Sequence, residues 1–222
     1  MKFKFLPLAI TLRMLRADPF ILPAAVWALF VIMTGMLRDR MGTNIVSAYL
    51  GFTMPLLSGI LGAYAILDDP SLELTLSTPR PAWITIAERL GVILSFQAIL
   101  AMAFQFVAGI LGLDMNFLGG PLVRQLAWII PALAMATLGA AASFLFANCL
   151  SGALMAAVVW ILQVILRGWF IYDGTRRYFL LFAGVMAPGY PFLTGNQIVL
   201  TGISIGLLIF GVWLFRKQER YL

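Results

Sequence analysis

The sequence contains no histidine and a single cysteine, Cys149. The lack of histidine removes the commonest general base, proton relay and zinc ligand. One thiol excludes an intrachain disulfide and a thiolate cluster. Cys149 falls in a short turn, Asn148-Cys149-Leu150-Ser151-Gly152, and reads as structural. Charge is also scarce: 11% of residues are charged, against roughly 25% in a soluble domain. No Asp, Glu or Lys falls in the middle of a long apolar run. Proton- or sodium-coupled carriers and channels with charged filters need such groups, so both classes lose support. A nucleophile elbow, an H-E-x-x-H motif and a glycine-rich nucleotide loop are all missing. The chain therefore shows no means of binding ATP, and no internal repeat stands out.

Apolar side chains dominate what is present, with 62% hydrophobic residues in 222. A water-soluble core cannot absorb that share, so the class is an all-α polytopic membrane protein, one domain over residues 1–222. The net charge of +6 suits cytosolic ends held near anionic headgroups, and nucleic acid is not a partner it suggests. Residues 1–18 put Leu8, Leu12 and Leu15 on one helical face flanked by Arg13 and Arg16, the pattern of an interfacial amphipathic helix. With no small-x-small site after Phe5–Leu12, this is not a cleavable signal peptide. Asp18-Pro19 marks the next helix start.

Six spans are predicted, at about Phe20–Leu37, Ile45–Leu67, Leu90–Leu113, Gln125–Ala147, Ala153–Ile171 and Ile198–Phe215. The second carries Gly51, Pro55, Gly59 and Gly62, which predicts a kinked or closely packed helix. On the fourth, Ala132, Ala136 and Ala140 form a small-residue stripe that lets another helix approach. Gly202 and Gly206 make a similar pair on the sixth. The neutral groups Gln97, Gln105 and Gln163 either line a path or bond helix to helix. Arg38–Asn44 and Asp114–Arg124 are outside loops. Tyr172–Gln197 contains an apolar piece, Tyr178–Pro188, too short for the ~20 residues a crossing needs. It is expected to dip into the outer leaflet as a re-entrant segment. An even number of spans puts both termini on one side. Lys2, Lys4, Arg13, Arg16, Arg80, Arg89, Arg216, Lys217 and Arg220 make that side cytosolic.

The exception to this apolar pattern is residues 68–89, DDPSLELTLSTPRPAWITIAER, between the second and third spans. Asp68, Asp69 and Glu73 allow a magnesium–diphosphate site, as in a lipid-modifying membrane enzyme. However, the chain has no second acidic cluster on that side. The segment makes better sense as a docking element. Pro70 and Glu73 suit a first helical turn. Leu72, Leu74 and Leu76 give apolar anchors over about Ser71–Ser77. Thr78-Pro79-Arg80-Pro81 ends the helix, because proline drives its predecessor out of helical geometry. Trp83 anchors the return into the membrane.

This pattern resembles the permeases of type-2 ABC exporters. The residues that carry it are Ser71-Leu72-Glu73, Leu74, Leu76, Thr78-Pro79 and Arg89. The likeness extends to the basic N-terminal helix, six spans, the outer segment and the basic tail. Pro70 departs from the glycine frequent there. The resemblance implies a half-transporter in a prokaryotic cytoplasmic membrane, paired with a second permease subunit and driven by a separate ATPase that supplies ATP and magnesium. It implies that Asp69, Leu72, Glu73, Leu76, Thr78, Pro79 and Arg80 touch that ATPase in a coupling helix. The permease would hold no cofactor and catalyse no covalent step. Its apolar spans suit a lipid, amphipathic peptide or hydrophobic drug. The rivals are the lipid-headgroup enzyme and a non-transporting membrane scaffold.

Overall fold

A computed structural model describes residues 18–68, 81–172, 174–186 and 188–216. The expected interfacial helix before Asp18 and the basic tail after Arg216 lie outside the described residues. Among those described the chain is all-helical. Five helices are long and apolar enough to cross a membrane: Phe20–Asp39, Met41–Leu67, Trp83–Ile110, Pro121–Phe146 and Leu193–Phe215.

Polarity is inverted relative to a soluble protein. Met36, Phe106, Ile110 and Leu122 are each at least 70% exposed, while Ser58, Gln97, Thr137, Asn196 and Ser204 are buried. Water would penalise so large an apolar exterior, whereas lipid is its natural solvent. The hydroxyls that stay inside a helix bond back to its own carbonyls: Thr34 donates to Phe30 O at 2.7 Å and Ser204 to Leu200 O at 2.8 Å.

Helix α1 (Asp18–Ser47) runs into a π-helical segment (Ala48–Thr53) and then α2 (Met54–Leu67) without interruption. Yet the Phe30 and Tyr49 rings lie 5.2 Å apart. Nineteen residues of straight helix would hold them roughly 28 Å apart. The chain therefore doubles back between them. The expected loop Arg38–Asn44 is a reversal made in helical geometry, with Arg38 and Asp39 paired at 3.2 Å on the exposed rim. The π segment follows from Pro55. A proline ring clashes with the carbonyl four residues back and supplies no N–H, so the preceding turn widens. The Met54 N–H accordingly reaches back five residues, to Tyr49 O. Trp160 takes up a carbonyl of this segment, its Nε1 donating to Phe52 O at 2.8 Å.

Helix α3 (Ala82–Ile110) lies antiparallel to α2, with Gln97 beside Ser58 and the Phe104 ring 4.3 Å from Tyr49. Helix α4 (Pro121–Phe146) crosses α2 at backbone contact. A Cβ on Gly62 would land on the Ala136 carbonyl, and one on Gly139 would land on the Gly59 carbonyl. Ala136 of the alanine stripe thus meets Gly62 of the second span, where the spacing predicted only that another helix would approach closely.

Between α4 and α5 (Cys149–Ile165) the turn is two residues long. Ala147 takes the left-handed conformation (φ 51°), and the Asn148 side chain caps α5 by accepting from Leu150 N (2.8 Å) and Ser151 N (3.2 Å). The predicted fifth span is broken: α5 stops at Ile165, Leu166 leaves helical geometry (φ −88°, ψ 12°), and α6 (Arg167–Tyr172) follows. A 3-10 turn (Arg176–Phe179) and α7 (Ala183–Met186) lead to α8 (Leu193–Phe215). Helix α8 packs along α4 in the same direction: Leu200 clusters with Ala134 and Met135, and the Phe215 ring is 5.2 Å from Phe144.

Candidate functional site

The seven predicted docking residues, Asp69, Leu72, Glu73, Leu76, Thr78, Pro79 and Arg80, lie outside the described residues, as do the carboxylates Asp69 and Glu73 of the metal-site alternative. What the structure gives is their frame. Asp68 follows the last turn of α2 at φ −90°, ψ 10°. Pro81 stands extended (φ −60°, ψ 129°) before the first residue of α3. The segment therefore connects the same ends of two helices packed side by side. At the root of α3, Trp83 is half exposed while Thr85 and Arg89 are buried. Arg89 and its neighbour Glu88 both have interaction partners.

From this frame two contacts lead into the bundle. Midway along the α2–α3 pair, the Ser58 hydroxyl donates to the Gln97 side-chain oxygen and alternatively to Met54 O, 2.8 Å away. Both side chains are fully buried, and Gln97 Nε2 has no hydrogen-bond partner among the described residues. Beyond it α2 meets α4 at the glycine crossing, so a displacement of α2 is carried directly into α4. Close packing of this kind transmits strain because no soft side chain intervenes.

The other glutamines predicted as path or glue hold elements together. Gln105 and Gln125 exchange reciprocal amide bonds (2.9 and 3.3 Å) between α3 and α4, and Trp128 Nε1 donates to Gln125 Oε1 at 2.8 Å. Gln163 of α5 donates to Phe179 O (3.2 Å) and accepts from Leu181 N (3.3 Å). Asn196, which the sequence did not single out, donates to the carbonyls of Arg177, Tyr178 and Leu180, at 2.8 Å for the last. The paired amides Asn196-Gln197 in the first turns of an otherwise apolar helix are the signal that could have found it.

These bonds keep an irregular stretch in the bundle. Leu180, Phe182 and Ala183 are fully buried, and Phe182 stacks on Phe52 at 4.5 Å. Gly184 lies so close to Ala127 that a Cβ would sit 2.7 Å from it. Non-helical backbone survives beside apolar helices when protein groups satisfy its carbonyls. Arg176 lies 4.0 Å above the Trp169 ring, and Arg177 over Tyr178 and Phe192 at 5.3 and 5.4 Å, so the cations at this end rest on aromatic faces.

Among the described residues no three His, Cys, Asp or Glu side chains gather as a metal site. Comparison with family models, with curated proteins and with solved structures gives no match. The class defined by the fold is a helical protein of membrane type.

Proposed function

We propose that the chain is the permease subunit of a type-2 ABC exporter, with six crossings and both termini cytosolic. In this reading a coupling helix at about Ser71–Ser77, within the segment 68–89, is seated on a separate ATPase. The observation that carries this reading is the insertion of the single long charged segment between α2 and α3, a side-by-side pair tied into α4. Such a frame suits conversion of a push from outside into helix movement. The chain's lack of a nucleotide loop suits an external motor.

The direction of the helices supports six crossings. Helices α4 and α8 run the same way, so the chain must return across the bundle between them. Helix α5 makes that return. Its 17 residues cover about 25 Å at ~1.5 Å each, and the break at Leu166 with α6 completes the passage. The buried stretch Leu180–Val185 corresponds to the re-entrant outer segment. The substrate class is a lipid, amphipathic peptide or hydrophobic drug, moved through a pair of permease subunits.

The experiment is co-purification from a strain expressing this chain with candidate cytosolic ATPases. An ATPase should be retained by the full chain and lost on deletion of Leu72–Thr78. A complex that survives the deletion, or substrate turnover by the purified chain alone, overturns the reading.

A further inference from the structure

Helices α4 and α8 begin at the end of the bundle away from the docking segment, and the arginines there have no task in the transport reading. Two of them, Arg124 of α4 and Arg177 of the 3-10 turn, each carry a buried Nε–H with no hydrogen-bond partner among the described residues. We propose that these two guanidiniums form a binding site for a phosphate group.

The fold brings both to one cluster. Arg177 lies over the Tyr178 and Phe192 rings at 5.3 and 5.4 Å. Val123, the residue before Arg124, packs against the buried cluster that contains Phe192 and Leu180, as Tyr178 does. One turn further along α4, Ala127 touches Gly184. The Asn196 side chain holds the backbone of the 3-10 turn by donating to Arg177 O at 3.3 Å. The two cations therefore stand on elements fixed against each other.

Their chemistry selects an anion. A guanidinium keeps its charge, and offers five N–H donors in one plane and no acceptor. A ring face attracts that charge but leaves the in-plane donors unused. A buried donor on a charged group is costly without an acceptor, so an anion brought here binds with added affinity.

Carboxylates of the protein at this end are already engaged. Among the described residues they are Asp39, paired with Arg38 at 3.2 Å, and Asp114, whose Oδ1 accepts from Asn116 N at 2.9 Å. A second copy in the same orientation would bring the same two acids, and each would have to give up its bond. A phosphate makes no such exchange, and its oxygens each accept more than one charge-assisted bond, so one group serves both forks. Trp169 and Tyr190 are exposed beside these arginines, as aromatic rings are at the depth of lipid headgroups. Phosphate is the anion that a bilayer supplies there.

The test titrates dioleoyl phosphatidylglycerol onto delipidated full-length protein in detergent and counts bound lipid by native mass spectrometry. The wild type should hold one molecule at least fivefold more tightly than dioleoylglycerol, which lacks the phosphate. Arg124→Gln and Arg177→Gln should each weaken that molecule at least fivefold. Arg38→Gln, at the same end but already paired, should leave it unchanged. Excess inorganic phosphate separates the two sources of the group: displacement of the lipid assigns the site to free phosphate, and retention assigns it to the headgroup. If the glutamine variants misfold, Arg124→Lys joined to Arg177→Lys keeps the charge, loses the planar fork and should weaken binding at least threefold. Binding indifferent to both arginines, or weakened equally by Arg38→Gln, overturns the proposal. So does an Arg177→Gln protein that loses a dimer and keeps its lipid, since a second copy would then hold the cation. None of these outcomes depends on the ATPase, so the transport reading stands or falls separately.

Discussion

Gly62 of α2 faces the backbone of Ala136 in α4 so closely that a methyl group on Gly62 would overlap the Ala136 carbonyl. Overpacking a tight contact of this kind costs ~1–3 kcal/mol. Gly62→Ala should therefore lower the unfolding midpoint in detergent by several degrees, and Gly139→Ala should do the same through the Gly59 carbonyl. Gly206→Ala, with open space around it, should leave the midpoint unchanged.

Asn196 is the clasp on the irregular stretch before α8. Asn196→Leu removes the donor for three carbonyls, and orphaned buried groups cost ~1–3 kcal/mol each when no water replaces the bond. Amide hydrogen exchange over Leu180–Val185 should accelerate tenfold or more. Exchange in α2 and α3 should hold at wild-type rates.

Trp160→Phe keeps an aromatic ring near Phe182, 6.1 Å away in the native packing, but loses the indole donor to Phe52 O. A loss of ~1 kcal/mol is expected. The change in exchange should concentrate at residues 48–57, where the π segment leans on that bond.

Ser58 and Gln97 should behave as a coupled pair. In a cycle of Ser58→Ala, Gln97→Met and the double variant, the interaction energy should be ~0.6 kcal/mol and no more than ~1.7, as for polar pairs between membrane helices. Additive effects would mean that the two side chains do not cooperate in holding α2 to α3.

On the proposed transport reading, Leu72→Ala and Glu73→Ala should each reduce ATPase retention on affinity resin at least fivefold. Paired alanines at Asp68 and Asp69 should reduce it less. The opposite order, joined to loss of a covalent activity in the purified chain alone, would favour the lipid-headgroup enzyme.

How far the sequence could be read depended on the physical signal at each place. Glycines and alanines four residues apart announce a close helix crossing because little else explains small residues in a membrane span. Gly62 and Ala136 do sit at a close crossing, although which helices would meet there was not legible. Pro55 announced a distortion, though the widened turn it produced is set by the lost N–H and was not foreseeable in form. The polar run Arg38–Asn44 read as a loop because composition reports exposure, and backbone geometry can stay helical through an exposed reversal. The break between α5 and α6 falls just before Arg167-Gly168, a charge and a glycine in an otherwise apolar run that the span predicted to Ile171 read past. The burial of Leu180 and Phe182 required Gln163 and Asn196 to supply bonds from distant parts of the chain, which a linear pattern cannot express. The predicted docking motif was the clearest functional signal in the sequence, and of its segment only Asp68 and residues 81–89 fall among the described residues.

The helical reversal between Phe30 and Tyr49 has a biochemical corollary. A protease cleft accepts extended backbone, and this rim presents coiled backbone although the Arg38 and Asp39 side chains are exposed. Trypsin added to intact membranes should spare the Arg38 and Arg40 bonds, whereas a small thiol reagent should still modify Asp39→Cys. The first two crossings would then survive digestion as one uncut hairpin.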